Sequence, residues 1–511
     1  MNKIMPYVGN KPEVGNFRKC DAITTSATAT YNLLVGGVAV NPNQNQVICS
    51  LNGVIQSSGT SYTIASSQIT FASALTSSDV IDFILILGDV LDVGVPSDDT
   101  VDASKITANV ITGQSALGVA PADTDEFLVS DAGVLKRVDY SYIKPTAQVF
   151  RRDAQPIIIN GDMGVAQRGT SVTGKTNGDS GYYTVDRIQF AESGTMTAVI
   201  TNTQESLSSG NAFNDGFEKA YKIDVTTADA SAATDILHRI KYNLEAQSVQ
   251  AFKFGKTDAQ PMTLAFWVKA TKTGTNTVHM ERGDSARSCA QEYTVSSTDT
   301  WEHKVLNFPA DTTGNMPYDN GEGLNIQWNL VAGTDYTSGT LCTTWEAFNK
   351  PDTAVGQVNN FDSTSNNFHI TGIQLEVGTY TSADLPPFQF ESYGDNLARC
   401  QRYFQKLTNG ESGKGLCMVR YWSSTAAGGV FNLPTTMRAN PTASYANGTG
   451  YWLISGGTGG ANDPFDTITN NDTSLQNAGW YSGSSATGTA GYAGLMMTNS
   501  TSAKAEFSAE L

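Results

Sequence analysis

The chain has 511 residues, of which only 16% are charged, and Asp plus Glu outnumber Lys plus Arg by 49 to 32, for a net charge of −17. That balance excludes a phosphate-neutralising nucleic-acid surface and argues against an anionic membrane face, since both need clustered Lys and Arg. Forty-eight glycines, with Ser, Thr and Asn between short apolar runs, give the profile of an all-β chain of about three domains.

The N-terminal MNKIMPYVGNKPE has no apolar h-region, so no signal peptide is expected. Across residues 1–95, Phe17–Cys20, Thr30–Val35, Val47–Leu51, Val54–Gln56, Tyr62–Ile64 and Ile69–Phe71 read as strands at sandwich spacing. Asn52–Gly53 is a hairpin turn signal, because a type I′ turn needs positive φ at both positions. Val80–Leu87, the longest apolar run, is too short to span a bilayer and reads as a buried strand.

Residues 96–155 change character. Pro96–Thr100 is an Asp-rich linker, Val101–Ile111 carries small apolar residues, and Arg151–Arg152 is an isolated pair that reads as solvated linker charge. Asp125–Val138 holds two strands around Asp131–Ala132–Gly133. Neither piece buries enough surface alone, which predicts packing against symmetry mates in a homotrimer; an ordinary interdomain hairpin is the alternative.

Residues 156–391 carry Ile157–Ile159, Phe217–Val225, Ile236–Tyr242, Met262–Lys269, Trp301–Phe308, Leu324–Leu330 and Phe368–Leu375 as strands, with helical periodicity nearly absent. Residues 392–408 turn at Tyr393–Gly394 into a short helix, with Leu397, Cys400, Tyr403 and Phe404 at helical spacing. In residues 409–511, Val419–Trp422, Gly429–Leu433, Thr442–Tyr445, Tyr451–Ile454, Trp480–Tyr481, Tyr492–Thr498 and Ala503–Glu510 read as strands between polar loops.

The chemistry-bearing residues point away from catalysis. Cys20, Cys49, Cys289, Cys342, Cys400 and Cys417 form no C-x-x-C motif; Cys20 with Cys49 and Cys289 with Cys342 are candidate disulfides, and free buried thiols are the alternative. His238, His279, His303 and His369 lack the i, i+4 spacing of a helical metal site, and neither a G-x-S-x-G elbow nor a P-loop occurs. Glycan cleavage needs two acids facing one sugar, roughly 5–10 Å apart, and spacing does not pair Asp284, Glu292, Glu322 or Glu346. No enzyme is expected.

Glycan recognition needs aromatic platforms beside polar groups. The tryptophans Trp267, Trp301, Trp328 and Trp345 are one set; Trp267, in the apolar LAFWVKA, reads as core, whereas Trp328 and Trp345 lie near loops. The second set is Trp422, Tyr451, Trp452, Trp480, Tyr481 and Tyr492, beside Gly- and Ser-rich loops on a β scaffold.

Four groups of motifs resemble bacteriophage tail fibres. LNGVIQ, YTI, ITF and DVIDFILIL resemble the N-terminal β-domain of fibres from marine T7-like phages, which implies attachment to tail adaptor or nozzle proteins. DEFLVSDAGVLKRV resembles trimeric stalk segments. NGDMGVAQRGT, YTVDR, LAFWVKA, WEHKVLNF and GIQLEVG resemble, in order, the fibre jelly-roll domain similar to carbohydrate-binding modules. The join GIQLEVG to CQRYFQK, with FNLPTTMRANPTAS beyond it, resembles the passage to a distal receptor-binding domain.

The resemblance implies an all-β chain: an N-terminal β-sandwich (1–95), a short trimeric neck (96–155), a jelly-roll sandwich (156–391), a helical connector (392–408) and a C-terminal β-sandwich tip (409–511). It implies a virion protein made in a bacterial cytoplasm, trimeric and bound to host cell-surface glycan, without membrane insertion. It also implies a structural calcium for which Asn160, Asp162 and Asp186 are the oxygen donors, although turns favour the same residues for backbone reasons. No other cofactor is expected. The rival readings are a virion-associated glycan hydrolase and a head-fibre or decoration protein.

Overall fold

A computed structural model describes residues 17–88, 107–144 and 155–511. The N-terminal MNKIMPYVGNKPE, the linker Pro96–Thr100, the start of Val101–Ile111 and the pair Arg151–Arg152 lie outside the described residues. The described chain is almost entirely antiparallel β. It forms two compact units, Met1–Lys144 and Pro145–Leu511.

In the first unit, Phe17–Lys19, Ile81–Leu87, Val47–Leu51 and Val54–Ile55 form one sheet in that order, and Thr30–Asn32, Gln68–Phe71 and Tyr62–Ala65 another. Alternate side chains of Ile81–Leu87 enter the core, where Ile84 and Ile86 meet Leu33, Cys49, Tyr62 and Ile69. The Tyr62 hydroxyl donates to Val47 O at 2.6 Å, so the buried phenol is satisfied. Asn52 and Gly53 take φ of 52° and 73°, as the hairpin signal requires. Glu126–Asp131 and Val134–Asp139 form a separate hairpin around Ala132 and Gly133. Phe127, Leu128, Val129, Val134 and Leu135 are exposed, so apolar side chains stand uncovered along both strands.

The second unit opens with a sandwich. One sheet runs Ser171–Lys175, Val199–Ser206, Lys219–Thr227, Asn367–Val377, Met262–Ala270 and Glu302–Phe308. The other runs Gly181–Tyr182, Gln189–Ser193, Leu237–Glu245, Glu322–Ala332, Gly274–Arg282, Arg287–Val295 and Glu346–Ala347. The chain crosses repeatedly between the two, as in a jelly roll, so consecutive strands often lie in opposite sheets. One core fills the gap, with Phe190, Phe266, Trp328, Ile370 and Leu375 inside it; each such side chain contributes about 1.5–3 kcal/mol by leaving water.

Helix Tyr393–Gln401 follows, its N-terminus capped by Ser392 Oγ accepting from Asp395 N at 3.2 Å. It buries Cys400 and half-buries Leu397 against Ile159 and Val165. The predicted helical run stops earlier than its periodicity suggested. Phe404 belongs instead to strand Phe404–Lys406, which pairs with Lys504–Ser508. The reason is tertiary: that strand completes a three-stranded sheet with Thr442–Ala446, and pairing there outweighs one more helical turn. Facing it, Asp463–Phe465, Trp452–Ser455, Ala493–Thr498, Gly415–Tyr421, Ala427–Asn432, Asn477–Ser482 and Thr469–Thr473 form the large sheet of the distal domain.

The distal domain is latched onto the sandwich by buried charge. Arg187 is almost fully buried; it pairs with Glu510, donates to Asn243 O and stacks its guanidinium 3.5 Å from the Tyr403 ring centroid. Arg168 donates to Glu510 Oε1 at 3.2 Å and lies 3.6 Å from the Phe404 ring centroid. On the same interface, Arg402 grips Glu245 through two bonds of 2.7 and 2.8 Å. Arg438 donates to Asn320 O and Ala509 O. The QRG and YTVDR motifs of the sandwich therefore meet the QRYF motif of the connector directly.

Candidate functional site

The three expected calcium donors sit close together but serve another purpose. Asn160, at φ 60° and buried, donates its amide to Val165 O and Asp186 O, each at 2.9 Å, and accepts from Val165 N at 2.8 Å. Asp186 accepts from Gln167 N at 2.9 Å and from the Gln167 side chain. Asp162 accepts from Gly164 N at 3.3 Å and from Asn396 Nδ2 at 3.1 Å. Asn160 Oδ1, both Asp186 oxygens and Asp162 Oδ1 already accept from N–H donors, and Asn160 turns N–H groups towards its neighbours. The donor set therefore does not fit a cation. Among the described residues no cluster of three His, Cys, Asp or Glu is arranged for one. Burial pushes the Asp186 carboxyl up to about 6, against the pull of Arg168. The loop is a hydrogen-bonded hub that seats the connector helix and the latch.

The six aromatic candidates of the distal domain divide sharply. Trp452 and Trp480, at 0% and 2% exposure, belong to the core. Trp480 stacks between Phe431 and Phe465, with centroids 6.0 and 5.8 Å away, and Trp452 Nε1 donates to Asn447 Oδ1 at 3.3 Å. No ligand reaches them, which corrects the expectation from their loop-side position. Tyr451 packs half-buried against the same core and lies over Gly448. Trp422, Tyr481 and Tyr492 are 56%, 38% and 49% exposed.

Trp422 and Tyr481 share the outer face of the large distal sheet. In register, Arg420 pairs with Gly428 and Gly428 with Tyr481, while Met418 pairs with Leu495. These residues alternate with Val419, Tyr421, Ala427 and Trp480, which point into the core. Gly428 is the floor: a Cβ there would stand 2.7 Å from Trp422 Nε1, so only glycine lets the indole lie down. The Arg420 guanidinium stacks 3.8 Å from the Trp422 ring centroid. Exposed Met418, Val430 and Leu495 continue the face. Tyr492 O accepts from Tyr421 N at 2.9 Å, which places its backbone at the Trp422 end of the sheet. The result is a sheet face with an exposed indole, an adjoining guanidinium and a neighbouring phenol, an arrangement suited to the C–H face of a sugar ring.

The sandwich tryptophans reverse their expected roles. Trp328 and Trp345, expected near the surface, are core residues, and Trp301 is buried beside Ala212 and Phe217. Trp267 stands instead on the outer side of its sheet, its ring centroid 5.0 Å from that of His303. Alternation explains it: in LAFWVKA the core takes Leu264, Phe266 and Val268. Among the acids weighed as a hydrolytic pair, Asp284 has its carboxyl pushed up by burial and then by the nearby charges of Asp319 and Glu322, while Glu292 and Glu346 lie opposite Thr277 and Ser288.

No family model matches the chain, and no curated protein matches it. Solved structures with a similar fold include the enzymatically active domain of tailspike protein 4 of bacteriophage CBA120, at 11% identity and a TM-score of 0.21, covering 37% of this chain and 19% of that one. A family 11 carbohydrate-binding module of Clostridium thermocellum is 13% identical, covers 41% of this chain and 98% of its own, and gives a TM-score of 0.20. A family 61 module in complex with β-1,4-galactotriose is 7% identical over 44% of this chain and 99% of its own, with a TM-score of 0.21. Likenesses this remote assign no ligand and no role.

Proposed function

We propose that this chain is a bacteriophage tail fibre that binds a host-surface glycan through its distal β domain, with Trp422 as the sugar platform and Arg420, Tyr481 and Tyr492 around it. The observation that carries the reading is the exposed indole seated on Gly428 in an otherwise well-packed sheet. Trp422 continues into exposed Met418, Val430 and Leu495 on the same face, and a contiguous apolar patch of this kind, unlike a lone exposed side chain, marks an interaction site. The fibre assignment rests on the motif resemblances. The uncovered apolar strands Glu126–Asp131 and Val134–Asp139 support a homotrimeric neck, because packing against two further copies would cover them. Three such tips on one axis would convert weak single-sugar contacts into tight adsorption through effective concentration. The N-terminal unit would hold the fibre to the tail, and catalysis plays no part.

The test is binding of the purified chain to isolated host envelope glycan, with oligomeric mass measured by light scattering. Trp422→Ala should weaken binding about tenfold per site, from a loss of about 1.4 kcal/mol of stacking, while leaving the mass of a trimer unchanged. Undiminished binding by the variant would remove the platform from the reading, and a monomeric mass would remove the neck.

A further inference from the structure

On the outer side of the six-stranded sheet of the sandwich, the segment from Tyr380 to Phe390 crosses back over the strands and leaves a cavity of about 350 Å³. Its walls are aromatic. Phe217, Phe388 and Phe390 meet with centroids 4.8 to 5.1 Å apart, and Trp267 faces them beside His303. Its floor is a bulge: Trp267 pairs with Thr371 but Ala265 with Gln374, and Gly372 between them takes φ 62°. A Cβ on Gly372 would stand 2.8 Å from Phe217 and 3.0 Å from Trp267. The one extra residue re-aims the strand so that both rings line the cavity, a use of bulges common beside binding sites.

The polar side chains are few: Asp215, His303, Gln374 and the single hydroxyl of Ser382. Asp215 lines the cavity, and no cation pairs with its carboxylate among the described residues. No Lys or Arg lines the cavity. The Gln374 amide spends its donors on Glu376 Oε1 at 2.9 Å and Pro386 O at 2.8 Å. Burial holds His303 below its ordinary range, against the pull of Asp215, so at neutral pH the imidazole does not neutralise that carboxylate. The cavity thus offers ring faces and a negative charge with few donors. An anion is repelled there, and a polyhydroxylated sugar would find too few donors for its oxygens. A cation clothed in methyl or methylene groups fits both features, since ring faces attract positive charge while the alkyl groups displace water.

We infer that this cavity is a second binding site, for an organic ammonium group, with Trp267, Phe388 and Phe390 as the cage and Asp215 as the counter-charge. The site lies on the sandwich, apart from the distal sheet, and does not depend on the glycan reading.

The experiment titrates the full chain with choline chloride, and separately with its uncharged isostere 3,3-dimethylbutan-1-ol, by ligand-observed NMR. Choline should bind and the alcohol should bind at least fivefold more weakly. Asp215→Asn, a change at an exposed residue, should weaken choline about fivefold and leave the alcohol unaltered. Trp267→Ala should abolish both, and Trp422→Ala should change neither. Absence of choline binding, equal binding of the two probes, or an Asp215→Asn variant that binds choline as the native chain does would each overturn the assignment.

Discussion

Glu510→Ala is the substitution with the largest consequence that the structure allows to be worked through. The Glu510 side chain is 6% exposed and Arg187 only 1%. Removing the carboxylate strands the Arg187 guanidinium between Asn243 O and the Tyr403 ring, with no anion to offset its lost hydration. Burial opposes the charge on Arg187, and Glu510, ahead of Tyr242, Tyr403 and Tyr182, is the largest influence that raises its pKa above the ordinary value. Arg168 keeps a weaker partner, Asp186 at 3.9 Å, so part of its charge remains compensated. Breaking a buried ion pair from one side costs about 3–5 kcal/mol, and that is the loss expected here. Because the pair joins the sandwich to the distal domain, the loss should fall on their coupling rather than on either core. Urea unfolding of the full chain, followed by tryptophan fluorescence, should split so that the distal domain unfolds first. Limited proteolysis should then cut near residues 402–414. Glu510→Gln, which keeps the shape and an acceptor oxygen, should lose less. A loss under about 1 kcal/mol with an undivided transition would refute the latch, since that is the worth of an exposed pair.

Three further outcomes follow from buried groups. His238 and His279 are held neutral, with desolvation pushing them down to about 4 and about 3. An unfolded histidine takes its proton near pH 6.5, so each contributes its full stability above that pH. Each then loses about 1.4 kcal/mol per pH unit as the pH falls towards the folded value. Urea midpoints between pH 7.5 and pH 5 should decline, more shallowly in His279→Gln; a flat profile would contradict the burial. All six cysteines are free, and burial pushes Cys49 and Cys289 up to about 12. A colorimetric thiol reagent should therefore label the native chain far more slowly than the urea-unfolded chain, and equal rates would show the thiols accessible. Gly428→Ala should displace Trp422 and weaken glycan binding about as much as Trp422→Ala does, and it should also lower the unfolding free energy by about 1–3 kcal/mol, because the new Cβ meets Trp480 O on the paired strand as well as the indole. Retained binding would show that the indole need not lie on the strand.

The strands were legible because alternation is local. Ile84 and Ile86, or Leu264, Phe266 and Val268, announce a buried face within seven residues. The same rule, applied consistently, would have placed Trp267 outside and paired Trp452 with Ile454, and Trp480 with Ala478, inside. Nearness to glycine-rich loops is no guide to Trp452 and Trp480, and the apolar character of LAFWVKA is none to Trp267. Phe404 looked helical because helix spacing carries no information about a strand partner 104 residues away, and Ser508 supplies that partner. Asn160, Asp162 and Asp186 have calcium-like chemistry, but their hydrogen-bond partners decide their role, and Asn396 lies far along the chain. The latch was the least legible element. Arg187 and Glu510 are separated by 323 positions, and nothing local in either segment marks the other. The cavity under Phe388 and Phe390 required knowing that a proline-broken link folds back over the sheet.

The most direct test of the account is competition for adsorption. Host cells are incubated with the purified full chain before phage is added, and the fraction of phage adsorbed is measured for the native chain and for Trp422→Ala. The account predicts that the native chain blocks adsorption and that the variant, folded and of the same oligomeric mass, does not. Equal blocking by both, or none by either, would contradict the claim that the distal sheet face is what touches the host.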